Sequence, residues 1–127
     1  MVNRLLQPQE IEVFYVLPAV RRDIALCMKA EGKSQKAIAK LLGVTAPAIS
    51  QYMSSKRAST VKFNDKVKSA ISDSSKRINS DLSLMREVQR LLQLIRNERV
   101  VCQLHETMGS GPKNCNVCFE TPLIQIK

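Results

Sequence analysis

Hydrophobic positions recur along this chain at helical steps, and polar breaks divide them into successive elements. Val20, Ile24, Cys27 and Met28 step by four, three and one, forming a stripe on a helix that Pro18 opens and Gly32 closes. Within that stripe Cys27 reads as a small buried thiol. Ahead of it, Leu5, Leu6, Ile11, Val13, Phe14, Val16 and Leu17 suit either a strand or a short helix docked on the domain. Farther on, Phe63 reads as a core plug leading a helix from about Asn64 to Ile78, whose stripe is Val67, Ile71 and Ile78. Residues 72–83 are the most polar stretch and suggest a domain boundary. A cap within residues 79–81 then starts a helix with no Gly or Pro until about Thr107, about 40 Å at the usual rise. On it Leu84, Val88, Leu91 and Ile95 form a heptad-like seam, widened by Leu92, Leu94, Val100 and Val101.

Residues 34–57 carry the most specific local pattern. Ser34 is suited to cap a first helix through its hydroxyl, and Ala37, Ile38, Leu41 and Leu42 then share a face. Gly43 stands where a helix ends in a left-handed residue. Val44 plugs the corner and Thr45 caps a second helix, whose first turn tolerates Pro47. Ile49, Tyr52 and Met53 point inward. Ala46, Pro47, Ser50, Gln51 and Ser54 are left outside, with Lys56 and Arg57 just beyond. This is the layout of a DNA-reading helix-turn-helix at residues 34–54.

The segment resembles the phage-repressor-like, or XRE-type, helix-turn-helix family. The matching residues are Ser34–Gln35, Ala39, Leu42–Gly43–Val44–Thr45, Ile49–Ser50 and Lys56–Arg57. More loosely, the whole chain looks like short, largely archaeal predicted regulators with this domain in front and a cysteine cluster behind. In similar proteins the two residues after the second cap meet bases. Here they are Ala46 and Pro47, which at most touch a thymine methyl. Gln51 is left to read a base edge, most naturally adenine, helped by Ser50, water and DNA shape. Backbone amides at the helix starts capped by Ser34 and Thr45, with Gln35, Lys56 and Arg57, would hold phosphates.

Composition supports the same picture. The 127 residues include no Trp and only 4% aromatics against 44% hydrophobic residues, so the core is aliphatic and the expected fold all-α. The formal charge is +9, and it is spread: residues 1–60 carry nine basic and four acidic side chains, residues 61–127 eleven and seven. Such a balance favours a polyanionic partner. The opening residues lack the apolar core of a signal peptide, and the best apolar run, residues 13–20, is too short to span a bilayer. A cytoplasmic location is expected, where four cysteines are poor candidates for structural disulfides.

Cys102, His105, Cys115 and Cys118 form a C-x2-H-x9-C-x2-C pattern. The first two lie one helical turn apart. Gly109, Gly111 and Pro112 can turn the chain back, and the last two form a short knuckle. Three thiolates and an imidazole suit tetrahedral zinc, the first choice of metal. The resemblance pulls toward an iron–sulfur cluster, because similar proteins carry a fourth cysteine where this chain has His105; histidine also ligates such clusters. Thiols holding no metal and a Cys115–Cys118 redox switch are the other readings.

The expectation is therefore a DNA-binding domain of four to five helices over residues 1–78, followed over 79–127 by a long helix and a Cys/His metal-binding end. The long helix needs a partner: it either folds back onto the domain or pairs with a second copy. A homodimer is expected, because such readers act in pairs on half-sites. The expected function is a sequence-specific transcriptional regulator acting on double-stranded DNA, with no membrane partner and no small-molecule substrate. An antitoxin-like or RNA-binding interaction module with a structural metal is the alternative. No Ser/His/Asp set, paired carboxylates or phosphate loop points to an enzyme.

Overall fold

The computed structural model describes residues 6–54, 61–107 and 117, and the described residues form helices alone. In order they are α1 (Pro8–Ile11), a π-helical turn (Glu12–Val16), α2 (Leu17–Ala30), α3 (Gln35–Leu42), α4 (Ala46–Met53), α5 (Asp65–Arg77), α6 (Asp81–Asn97) and α7 (Val100–Thr107).

The helical run that includes α2 begins ten residues before Pro18. Pro8 is its first-turn proline, and Gln7 and Glu10 cap each other reciprocally. Of the two readings open for the N-terminus, strand or helix, the chain adopts helix. Pro18 lies within the run, where its ring would strike the carbonyl four residues back and remove one hydrogen bond. The π turn accommodates it: the Leu17 N–H reaches the carbonyl of Glu12, five residues away rather than four. Glu12 is thereby buried, and Arg96 of α6 grips it with two bonds of 3.2 and 2.9 Å.

One hydrophobic cluster holds the helices together. It joins Ile11 and Val16, Val20, Ile24 and Met28 of α2, Ile38 and Leu42 of α3, and Ile49 and Tyr52 of α4 to Val67 and Ile71 of α5. Val61 and Phe63 are buried ahead of α5, and Phe63 is the expected core plug. Leu91, Leu92, Ile95, Val100 and Val101 belong to the same cluster, with Leu84 and Val88 packed against it. Residues on both sides of position 78 therefore share one core. The seam expected to pair with a second copy is spent inside the chain. Cys27 is half-buried beside this core; burial, with the charges of Asp23 and Glu31, pushes its thiol up and away from nucleophilic character.

The polar stretch before α6 is not a loop. Its first half continues α5, where Ser74 and Ser75 are buried; Ser75 donates to Glu31 Oε2 at 2.8 Å and Ser74 to Glu87 at 3.0 Å. Ser80 then caps α6 in the expected place. The unbroken helix expected to reach Thr107 is two helices. α6 stops at Asn97, and Arg99 takes a left-handed backbone with φ of 60°. Such a conformation costs a non-glycine residue about 1–2 kcal/mol. Burial offsets that strain, because α7 turns back against α1 and takes Val100 and Val101 out of water. Glu98, at the break, accepts from Asn64 and meets Lys66 at 3.6 Å, so the corner is pinned to the start of α5.

Candidate nucleic-acid interface

Local chemistry builds the helix-turn-helix as the residues dictate. Ser34 Oγ accepts from the Ala37 N–H at 3.1 Å, and Thr45 Oγ1 from the Ala48 N–H at 3.2 Å, so both helix starts are capped. Between them Gly43 has φ of 65°. Its N–H bonds the carbonyl of Lys40, while the Val44 N–H reaches back to that of Ala39 at 3.1 Å. That pair of bonds is the Schellman arrangement, and it turns the chain sharply enough to lay α4 across α3.

The inward face of α4 is Ala48, Ile49 and Tyr52, with Met53 half-buried. On α3 the inward residues are Ile38, Ala39 and Leu42; Ala37, expected on that face, is exposed, and Ala39 takes its place. The physical reason is that α3 packs against both α2 and α4, and the two contacts together turn its buried stripe toward Ala39.

Of the residues expected to face DNA, Ser34, Thr45, Ala46, Pro47, Ser50 and Ser54 are exposed or half-buried, as are Gln35 and Gln51. Ser50 Oγ donates to Gln35 Oε1 at 3.2 Å. This bond links the start of α3 to the outer face of α4, so the two helices present one polar surface. Ser54 closes α4 by donating to the Gln51 carbonyl. Lys56 and Arg57 lie outside the described residues. Arg21 and Arg22 are half-buried on α2, and Arg22 pairs with Asp23 at 2.7 Å.

At the other end of the chain, Cys102 and His105 lie one turn apart on α7, and Cys115 and Cys118 lie outside the described residues. Among the described residues no group of three or more His, Cys, Asp or Glu side chains converges as a metal site. His105 is buried, with Nε2 at 2.8 Å from the carbonyl oxygen of Leu6. A carbonyl only accepts, so Nε2 is the donor of this bond. Metal-ligating histidines are commonly oriented by such a bond from the other ring nitrogen. Cys102 and His105 are the two expected metal donors that lie among the described residues.

The sequence pattern does not foretell a second charged constellation. Glu87 of α6 has no exposed surface, yet three guanidinium groups surround it: Arg77 at 3.0 Å, Arg86 at 3.1 Å and Arg90 at 3.5 Å. Burial alone would raise its carboxyl. Hydrogen bonds from Arg77, Ser74 and Arg86 outweigh that and hold it below the ordinary carboxylate range. The one signal in the sequence is the i, i+3 spacing of Glu87 and Arg90.

No helix among the described residues is long and apolar enough to cross a membrane. No curated protein and no solved structure matches the chain. Residues 21–72, from within α2 into α5, match the family model described as Cro. That span contains the whole helix-turn-helix, and the chain is accordingly similar to a phage-repressor-like family of DNA-binding regulators.

Proposed function

We propose that the chain is a sequence-specific transcriptional regulator that reads double-stranded DNA with α4. The observation that carries this reading is the joined polar face of Gln35, Ser50 and Gln51, set on a doubly capped helix-turn-helix within the Cro-like span. Ala46 and Pro47 supply shape and contact with thymine methyls, and Gln51 supplies the base-specific hydrogen bonds. Phosphates meet the backbone amides behind Ser34 and Thr45, together with Lys56 and Arg57. Gln51→Ala should weaken the preferred site by about 1–3 kcal/mol and leave mixed-sequence DNA binding unchanged. The site is first selected from a random duplex pool, then titrated by fluorescence anisotropy with both proteins. Equal losses on both kinds of DNA would reduce Gln51 to a backbone contact.

The regulator acts as a cytoplasmic homodimer on paired half-sites. Because the α6 seam is buried within the chain, pairing uses other surface, and Leu82 and Met85 at the start of α6 remain exposed for it.

A metal centre at Cys102, His105, Cys115 and Cys118 completes the proposal, with zinc preferred over an iron–sulfur cluster. Its support is the spacing of the four donors and the bond that holds His105 Nε2 to the Leu6 carbonyl. Bound there, the metal supplies either a structural clamp on the end of α7 or sensitivity to redox state. Anaerobically purified protein should be colourless and contain about one zinc per chain. Visible absorption that bleaches on reduction would replace zinc with a cluster, and metal-free protein would remove the centre altogether.

A further inference from the structure

We propose that Arg86 and Arg90, organised with Arg77 on the buried Glu87, form a second DNA-backbone contact outside the helix-turn-helix; the proposal rests on the DNA-reading assignment. One guanidinium neutralises one carboxylate. Three leave the cluster with a charge of +2, and their side chains remain 48%, 55% and 62% exposed for Arg77, Arg86 and Arg90. Holding three like charges together carries a repulsive cost, which a polyanion on the outer side relieves. Arg77 and Arg86 meet Glu87 through Nε. That choice leaves the terminal nitrogens of Arg86, which match a phosphate, outside the carboxylate contact, whereas Arg77 Nη2 lies 3.5 Å from Ser74 Oγ and Arg90 meets Glu87 through Nη1. Glu87 is fixed from below by Ser74, so the arginines are pre-positioned rather than freely mobile.

The cluster is also connected to the reading surface. Ser75, two residues before Arg77, bonds Glu31, and Glu31 meets Lys33 at 3.8 Å. Lys33 precedes the Ser34 cap, and Gln35 accepts from Ser50 of α4. α3 packs directly on α6 as well. Arg86 and Arg90 thus belong to the helix that packs on α3.

The test measures affinity for a mixed-sequence DNA duplex against salt concentration, for the full-length protein and for Arg86→Gln/Arg90→Gln. Removing one phosphate contact lowers the slope of log affinity against log salt by about 0.9. The double variant should therefore show a slope smaller by up to about 1.8, equivalent to about tenfold less weakening between about 50 and 200 mM salt. The Arg86→Lys/Arg90→Lys protein should keep the slope, because the slope counts phosphate charges neutralised, and lysine neutralises as many. Arg90→Gln alone, at the longest of the three contacts, gives the same reading in smaller measure if the double variant does not fold. An unchanged slope in the glutamine variants, with normal binding by the unaltered protein, overturns the second contact and leaves the helix-turn-helix assignment standing. Failure of the unaltered protein to bind any duplex overturns both.

Discussion

Ile95→Ala is expected to destabilise the folded chain by about 2–5 kcal/mol, by the same amount at every protein concentration. Ile95 has no exposed surface and belongs to the cluster that includes Ile11, Ile24 and Ile38. Truncation removes buried carbons from a site walled by other helices, so the loss combines transfer free energy with an unfilled cavity. Denaturant unfolding at several concentrations checks it. A midpoint that falls without a change in slope means lost stability and nothing else. A deficit that disappears as concentration rises would mean that Ile95 is buried between copies, because association stabilises by mass action. The variant should also bind DNA more weakly near its unfolding midpoint, since α6 supports α3.

Removing the carboxylate of Glu87 should also be costly. Glu87→Ala leaves buried Ser74 without its acceptor and removes the bonds from Arg77 and Arg86, whose half-exposed guanidinium groups water then solvates, a loss of about 1–3 kcal/mol. Its pH dependence carries a definite sign. The folded-state pKa lies below the unfolded one, so the contribution is present at neutral pH and is lost as pH falls through the folded value. The stability gap between the unaltered protein and Glu87→Gln should therefore be largest near neutrality. It should close below the ordinary carboxylate range, about pH 4, where the acid and the amide are alike. Taking the difference between the two proteins cancels the titration of the other carboxylates. A gap that stays constant with pH would mean that Glu87 contributes through packing and not through charge.

How legible the candidate site was depended on how local its determinants are. The two caps, the glycine corner and the outer face of α4 each depend on residues within a turn or so of one another, and all appear where the residue types place them. The bond between Ser50 and Gln35 spans fifteen positions and depends on the angle between two helices, which no spacing expresses. The arginines around Glu87 were hidden for the same reason: Arg77 arrives from α5, across a stretch whose serines looked like a linker. Serine is neutral enough to lie in a loop or beneath a helix. Only its partners, Glu31 and Glu87, decide which.

By itself the sequence determined helices for most of the described residues, the capped helix-turn-helix and the capped start of α6. Those features derive from short-range sterics, capping and periodicity, which each residue carries with it. Tertiary structure alone decided where the helices bend and what their apolar faces meet. Pro18 is tolerated within a helix because a π turn makes room for it, and Arg99 adopts a left-handed corner that no glycine announces. The corner exists because a straight helix would leave Val100 and Val101 in water. Turning back on α1 buries both and brings His105 to Leu6, gains that exceed the local strain.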